Sequence, residues 1–410
     1  MAQQHFLGVD WADGKHDICV LDRDGQKVLV RQVEESAEGF SEFGRILTEW
    51  ADQGIELRAI IEKPEGRIID FLLDQGVSVY PINPKSLKQA RDLYRVSGAK
   101  SDLYDAWVLA NLLRDHHRDL SVIQPNSEQV AELKIFTRDY HKLTVKKTRL
   151  VNQLKAELKA FYPRPMEIFE DLTTQTCLDF LKRFPTPEAL ERLTASGWRR
   201  FAKAHKMGED RTQELWERVK APQLPVRPHV VGAKSIQVQV ITKELDVIVS
   251  AVSEYKRLIE DFFAATPAAE LTKTLPGGKS GITIPTLWAE LGDASGRWES
   301  FRHLQAHAGS TPITDQSGKH RQVLYRFACN KLMRYALHWL AQISLNESEW
   351  ARDYYDCQRA RGHTHSEALR ALGAKWLKII FVMWRDHVPY DENYHLANLY
   401  RQQRKQAVLT

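Results

Sequence analysis

The 410-residue sequence has little cysteine and no long apolar run, and these absences exclude several classes of protein. Its four cysteines (Cys19, Cys177, Cys329 and Cys357) lie far apart and form no Cys-x-x-Cys pair. A disulfide framework or a zinc site is therefore not expected, and a reduced, cytoplasmic protein is the simplest interpretation. No apolar run approaches the ~20 residues of a membrane helix, and the start MAQQHF lacks a signal-peptide pattern, so no membrane partner is expected.

The composition is that of a folded protein with more than one domain. Hydrophobic residues make up 43% of the chain and charged residues 27%, whereas disordered chains are poorer in apolar residues. The length exceeds what one ordinary core holds, so two or three domains are expected. The net charge of +5 is compatible with a nucleic-acid partner but does not require one.

The first 120 residues predict an α/β domain in which two apolar strands end on acids. Phe6–Val9 ends on Asp10, and residues 57–61 end on Glu62. The predicted order β-β-β-α-β-α-β-α is that of an RNase H-like domain. A carboxylate at a strand tip has a fixed position, as a metal ligand requires, although an acid at such a place also serves as an ordinary turn former.

Two further acids open the helix predicted for residues 102–114. Asp102 and Asp105 are three residues apart and therefore share one face of its first turn. Acids in a first turn also favour the helix dipole without any metal. Four carboxylates that converge without lysine partners would repel one another, and a hard divalent cation with oxygen ligands relieves that repulsion. The pattern favours Mg²⁺, with Mn²⁺ as a substitute, in a site for phosphoryl transfer.

The middle of the chain predicts a helical spacer over residues 121–268. One long helix covers residues 128–161, and a second covers residues 235–265 with an apolar 3,4 stripe. That stripe predicts a coiled coil, formed with the first long helix or with another subunit; an ordinary amphipathic helix on a globular core is the alternative. Between the two helices, residues 166–228 read as shorter helices and a proline-rich linker.

The remaining residues, 269–410, predict a mainly α-helical domain with a polar loop. Ser317 and Gly318 lie in that loop, and basic residues follow it in the loop and on the next helix: Lys319, Arg321, Arg326, Lys331 and Arg334. Such cations would bind nucleic-acid phosphate. They do not supply the base that a serine nucleophile needs, so the spacing alone leaves Ser317 as a loop serine.

Taken together, the motifs resemble those of a known family. The segments GVDWADGKHDICVLD, AIIEKPEG, AKSDLYDAWVLA and LQAHAGSTPITDQSGKHR follow one another in that family's order. The chain resembles the insertion-sequence recombinases that combine an N-terminal DEDD domain with a C-terminal serine domain. These include the bridge-RNA-guided transposases and the related pilin-gene invertase.

The resemblance implies roles for particular residues and partners. Asp10, Glu62, Asp102 and Asp105 would hold Mg²⁺, and Ser317 would attack a DNA phosphate and form a transient phosphoserine link. The acids and the serine would work together from different subunits of a homodimer or homotetramer. A structured RNA encoded by the element would pair with donor and target DNA. The resemblance also implies a bacterial or archaeal protein associated with the nucleoid. Against the family's shorter helical spacer, residues 166–228 are interpreted as an insertion.

Two other functions compete with a site-specific recombinase. A metal-dependent nuclease or junction resolvase would need the acids but not Ser317, and it would form no protein–DNA adduct. A non-catalytic nucleic-acid-binding relic would bind without cutting, and the presence of all four acids with the Ser-Gly pair argues against it.

Overall fold

The computed structural model describes residues 3–62, 65–94, 102–294, 296–318 and 320–398, except the side chain of Asp102. The chain divides into two compact units, Met1–Pro125 and Asn126–Thr410. No helix in the described ranges is both long and apolar enough to cross a membrane.

The first unit is a mixed α/β fold whose elements follow the predicted order. Its strands and helices are β1 (Gln3–Asp10), β2 (Lys15–Leu21), β3 (Lys27–Glu34), α1 (Ala37–Asp52), β4 (Ile55–Ile61), α2 (Arg67–Asp74), β5 (Ser78–Pro81), α3 (Pro84–Tyr94) and α4 (Asp102–His116). The described strands form one sheet of five in the order β3-β2-β1-β4-β5. β1, β2 and β3 pair antiparallel, whereas β4 and β5 pair parallel to β1.

The sheet buries both faces, because its central strands are apolar at successive positions. On one face, Leu7, Val9 and Ile61 pack in a cluster with residues of α1 and α2. On the other, Phe6 and Ile60 pack with residues of α3 and α4. Two covered faces explain why the β1 run Phe6–Val9 shows no apolar–polar alternation.

Helix α4 packs closely on β1 because β1 has a glycine at the contact. A Cβ on Gly8 would lie 2.0 Å from the Ala106 carbonyl oxygen and 2.6 Å from the Ala110 amide nitrogen. Further along the helix direction, the His117 ring lies 5.6 Å from that of Phe6. Helix α4 therefore runs back along β1, and its first turn lies towards Asp10.

The second unit is mostly helical. Its first helices are α5 (Glu128–Phe161), α6 (Arg164–Ile168), α7 (Gln175–Arg183), α8 (Pro187–Glu191), α9 (Ala195–Ala204), α10 (Glu209–Lys220) and α11 (Pro228–Ala264). They are followed by α12 (Pro267–Thr272), α13 (Thr283–Leu291), α14 (Phe301–His307), β6 (Ile313–Ser317), β7 (His320–Leu324), α15 (Lys331–Glu347), α16 (Glu349–Ala360) and α17 (His365–Asp386).

The two long helices α5 and α11 pack against each other in antiparallel directions. Lys234 donates to Glu157 at 2.7 Å near one end, and the rings of Phe136 and Phe262 meet at 5.5 Å near the other. The predicted stripe is largely buried, but part of it shares a core with α7, α9 and α10. The long helices are thus confirmed, whereas their coiled-coil geometry stays a prediction.

A second core of this unit holds α13, α15 and α17 together. It includes the fully buried Trp376, Leu340 and Leu369. Between α14 and α15 the chain leaves this core as the β6–β7 hairpin, in which all described residues are exposed. The hairpin was predicted as a loop, which is wrong. Its strands bury neither face, so no period-two apolar pattern marks them.

Candidate functional site

Two of the predicted acids, Asp10 and Glu62, lie at the same edge and on the same face of the sheet. β1 and β4 are parallel neighbours whose last registered pair is Val9 and Ile61, and the acids follow immediately. Val9 and Ile61 face α1 and α2. Because successive side chains point to opposite faces, Asp10 and Glu62 point to the face that α4 covers. Adjacent strands lie ~4.8 Å apart, so the two acids extend from neighbouring backbone positions.

A third acid, Asp17, reaches the same face and was missed by the sequence analysis. It pairs with Asp10 across β1 and β2. Cys19, two residues along, packs against α4, so alternation sends Asp17 to the α4 side. Its side chain is only 4% exposed and accepts a hydrogen bond from Gln32 at 2.9 Å. The sequence predicts the second strand, which contains Asp17, but it does not give the antiparallel register that pairs Asp17 with Asp10.

The other two predicted acids open α4. Asp105 is fully buried, and its carboxylate is held by the Arg91 guanidinium from α3 through contacts of 2.5 and 2.6 Å. Asp102 begins the same helix, and its side chain lies outside the described residues. Because α4 runs back along β1, its first turn lies on the side of the sheet where Asp10 and Glu62 point. The fold therefore brings the first turn of α4 and two strand tips to one place.

The donor set fits a hard divalent cation in its chemistry. It consists of carboxylates, the ligands that Mg²⁺ and Mn²⁺ prefer. In the described ranges, with Asp102 left out, no three His, Cys, Asp or Glu side chains are grouped as a metal site. Arg91 occupies the Asp105 carboxylate, so Asp105 can serve as a ligand only when that ion pair opens.

The predicted nucleophile Ser317 lies at the tip of the β6–β7 hairpin. It is the last residue of β6 and pairs with His320, the first residue of β7. Gly318 follows it with a φ of +57°, a left-handed backbone that glycine adopts without strain. The Ser317 side chain is exposed, and the residue across the ladder carries an imidazole.

The predicted cations lie at both ends of this hairpin. Arg321 is exposed next to the tip, and Lys319 lies outside the described residues. Arg326 was predicted on a helix, but it precedes α15, which begins at Lys331. The reason is that the Asn330 side chain caps that helix by accepting from the Met333 amide at 3.0 Å. Lys331 and Arg334 lie on the first turns of α15.

A buried polar cluster joins the two points where the hairpin leaves the core. Glu290 on α13 is fully buried and accepts from Arg138 at 2.8 Å and from the Asn330 side chain at 2.6 Å. The Asn330 amide group also lies 3.3 Å from His307 Nε2, and the Asn330 backbone donates to the His307 carbonyl at 2.8 Å. His307 ends α14 and Asn330 precedes α15, so this cluster fixes both ends of the segment that carries Ser317.

The charges of this cluster are set by burial and by arginine. Burial alone would raise the pKa of Glu290, but the hydrogen bond and charge of Arg138 outweigh it and hold that pKa below its ordinary value. Burial, with the charge of Arg297, lowers the pKa of His307 to about 4. Its imidazole is therefore neutral at pH 7 and can accept from Asn330.

Two glycine amides of the turn before α13 are occupied by carboxylates. The Gly277 amide donates to the Glu347 carboxylate at 2.9 Å, and the Gly281 amide donates to Glu260 at 2.7 Å. These two amides serve to join the turn to α15 and α11.

Two family models match the chain in the order of its two halves. The IS110 DEDD transposase model matches residues 7–163, and the model for transposases of the IS116/IS110/IS902 family matches residues 269–356. The chain belongs to the IS110/IS116 transposase family. It is accordingly an enzyme of the DNA-cleaving and recombining class.

Relatives match this IS110-family chain over nearly its full length. The candidate mini-circle transposase for IS117 of Streptomyces coelicolor is 27% identical, covering 96% of this chain and 97% of that protein. The 43.6 kDa protein of insertion element IS110 from the same organism is 28% identical, with 94% and 95% covered. The 42 kDa protein of IS900 from Mycobacterium paratuberculosis is 25% identical, with 95% and 98% covered.

A solved structure, Thermus thermophilus RuvC in complex with a Holliday junction substrate, matches 29% of this chain and 99% of its own length. The TM-score is 0.23 and the identity 15%, too low to bear on the site.

Proposed function

We propose that this transposase moves its own insertion sequence by Mg²⁺-dependent strand exchange through a serine nucleophile, guided by a structured RNA. The observation that carries the metal half is the shared edge and face of Asp10 and Glu62, towards which the first turn of α4 lies. The family supplies the setting, since its members are transposases.

Four acids of the first unit have the metal-binding role in this proposal. Asp10, Glu62 and Asp102 would hold the cation, and Asp105 would join them when Arg91 releases its carboxylate. A bound divalent cation would stabilise negative charge on the phosphate and on the leaving oxygen. Asp10 and Glu62 stand at the ends of paired strands, so their positions change little on binding, which is what such a site requires.

Ser317 has the nucleophilic role. Its Oγ would form a bond to a DNA phosphorus, and the bond from that phosphorus to the leaving deoxyribose oxygen would break. The serine proton would pass to a base, and the leaving oxygen would gain a proton. The position supports this role, because a serine at the tip of an exposed hairpin can reach a strand without rearrangement of the core. The cations Lys319, Arg321, Arg326, Lys331 and Arg334 would hold the DNA backbone.

The RNA and the assembly complete the proposal. A guide RNA that pairs with donor and target DNA would leave the protein to contact backbone and shape. A homodimer or homotetramer would bring together two strands and two copies of each catalytic group. Both follow from the family resemblance of the motifs, and each needs its own test.

A search for a covalent protein–DNA adduct tests the serine step. The chain is co-expressed with its flanking element DNA, and denaturing gels compare the native protein with Ser317→Ala and Asp10→Asn. An adduct that disappears in both variants supports the proposal. Ser253→Ala is the matched control, because Ser253 on α11 is an exposed serine of the same unit that lies outside the hairpin.

The alternative is a metal-dependent nuclease or junction resolvase, which the acidic strand tips of the α/β unit equally suit. It predicts strand cleavage that needs Asp10 and Glu62, continues in Ser317→Ala and leaves no adduct. That pattern would replace the recombinase proposal.

A further inference from the structure

A cavity at the base of the Ser317 hairpin is lined by cationic and hydroxyl side chains. Its volume is about 330 Å³. Lys331, Arg334 and His338 line it from α15, and Arg370 and Ser366 from α17. Tyr325, which follows β7 directly, and the buried Ser310 also line it. The lining includes no carboxylate, so the cavity carries positive charge without an internal counter-ion.

Two arginines in this cavity share one aromatic ring. The guanidinium carbon of Arg334 lies 4.7 Å from the centroid of the Tyr325 ring, and that of Arg370 lies 4.8 Å from it. The two guanidinium groups are therefore within about 10 Å of each other, a distance at which like charges repel at ordinary ionic strength. In the described part of the chain, neither arginine has a carboxylate within ion-pair distance.

The nearby acid and the hydrogen bonds of Arg334 compensate this charge only in part. The charge of Arg370 contributes to the lowered pKa of Glu367, after the larger contribution of the Thr364 hydrogen bonds. Glu367 lies one turn before Arg370, but its carboxylate accepts from the backbone and hydroxyl of Thr364, both at 2.8 Å. Arg334 donates to the Tyr325 hydroxyl and to the Arg326 carbonyl, which are neutral groups. Its Nε is buried without a hydrogen-bond partner.

From this geometry we propose that the cavity binds a phosphodiester group of the DNA strand that the Ser317 hairpin engages. The inference rests on the proposed function for its choice of DNA, and it adds Arg370, Ser366, Ser310 and Tyr325 to the nucleic-acid contacts. Planar guanidinium groups fit phosphate oxygens in a bidentate manner, and contact with the same tyrosine ring restricts the orientation of both.

The bound phosphate is distinct from the one that Ser317 would attack. The cavity lies at the base of a hairpin whose described strands have five residues each. At ~3.3 Å per residue, the tip is roughly 15 Å from the base. A DNA strand rises ~3.4 Å per nucleotide along its axis, so the two phosphates would belong to different nucleotides of the strand. The cavity would thus hold the strand in register for the hairpin tip.

Arg370→Gln is the variant that tests this site. Arg370 has no hydrogen bond or ion pair to another described side chain, so its loss should leave the fold intact. Arg334, in contrast, also joins the segment after β7 to α15. Arg302→Gln on α14 is the matched control, because Arg302 is exposed in the same unit and does not line the cavity. Arg370→Lys keeps the charge but not the planar fork.

The measurement is the affinity of the full chain for a fluorescein-labelled DNA duplex over a series of salt concentrations. Loss of one phosphate contact should lower the slope of log K against log salt by about 0.9 and the affinity by about fivefold near 0.15 M salt. We expect this for Arg370→Gln, with Arg370→Lys keeping most of the slope and Arg302→Gln resembling the native protein. An unchanged slope for Arg370→Gln, or an equal fall for Arg302→Gln, would overturn the proposal.

Parallel titrations distinguish DNA from RNA as the ligand, and they distinguish failure of the phosphate site from failure of the serine mechanism. The same sequence as single-stranded RNA identifies the source of the phosphate, and a loss confined to RNA would refute the assignment to DNA. Ser317→Ala should retain the full salt slope. If Ser317→Ala keeps recombination while Arg370→Gln loses the slope, the serine mechanism fails and the phosphate site stands.

Discussion

Acidification should weaken the second unit in part through the buried His307. Its pKa falls from an ordinary value near 6.5 to about 4, because burial and the charge of Arg297 disfavour the imidazolium form. The unfolded chain therefore binds a proton at pH values where the folded chain does not. Stability contributed by the neutral imidazole is complete above about pH 6.5 and is lost as the pH falls towards 4.

The size of the effect follows from these two pKa values. A difference of about 2.5 pKa units corresponds to about 3 kcal/mol once the pH is below both values, at 1.36 kcal/mol for each unit. At pH 5, where the unfolded imidazole is almost fully charged, the loss is about 2 kcal/mol. Glu290 and Arg138 lie in the same cluster, and protonation of His307 would break its acceptor role towards Asn330.

The assay is urea unfolding of the native chain and of His307→Gln at pH 7.5 and pH 5. A glutamine can accept from Asn330 through its side-chain oxygen but carries no titrating group in this range. We expect the native protein to lose about 2 kcal/mol more than His307→Gln between the two pH values. His303→Gln is the control, because His303 lies on the same helix with its side chain 61% exposed.

Equal pH dependence of the native chain and His307→Gln would refute the reasoning. It would mean that the imidazole is charged in the folded protein. An equal flattening in His303→Gln would assign the effect to surface charge instead of to burial.

Three further perturbations test other parts of the structure. Glu290→Gln removes the carboxylate that Arg138 and Asn330 contact and should lower the free energy of unfolding in urea by about 2 kcal/mol. The loss is limited because Arg138 is one-third exposed to water. Glu299→Gln, at an exposed acid, is the control and should change the free energy of unfolding little. Gly8→Ala drives a Cβ into the backbone of α4 and should cost at least about 3 kcal/mol in thermal or urea unfolding, whereas Gly14→Ala, with open space around it, should be neutral. Arg91→Gln leaves Asp105 buried without its cation and should destabilise the first unit by about 3 kcal/mol. If Asp105 is a metal ligand, added MgCl₂ should raise the melting temperature of this variant more than that of the native chain.

The sequence predicted the first unit well, because its information is local. Strands of continuous apolar residues that end on Asp10 and Glu62, and helices with one apolar face, can be recognised from spacing alone. The sequence could not give the register between strands, and that register places Asp17 opposite Asp10. It also could not show that Arg91, which lies 14 residues before Asp105, holds that carboxylate.

The second unit was predicted less completely, because its polar contacts join distant segments. Glu290 looked like one acid among many on a helix, and only the fold shows that it is fully buried with Arg138 and Asn330. His307 carries no sequence signal for this cluster, because its place there depends on α13 and α15. Arg370 carried no signal, since its partner Tyr325 lies 45 positions away and meets it through a ring contact.

The β6–β7 hairpin shows why Ser317 could not be placed from its neighbours. Its strands are exposed on both faces, so no burial of their own side chains fixes their position. Order has to come from the ends, where His307 and Asn330 are tied to the buried Glu290, and from Tyr325, which Arg334 and Arg370 contact. Because the exposed hairpin is held at its base, its position is fixed there while its tip remains accessible. Under the proposed function, that arrangement would suit a serine that meets a large, separately bound substrate, and the residues that position it would lie in the core and the cavity instead of beside Ser317.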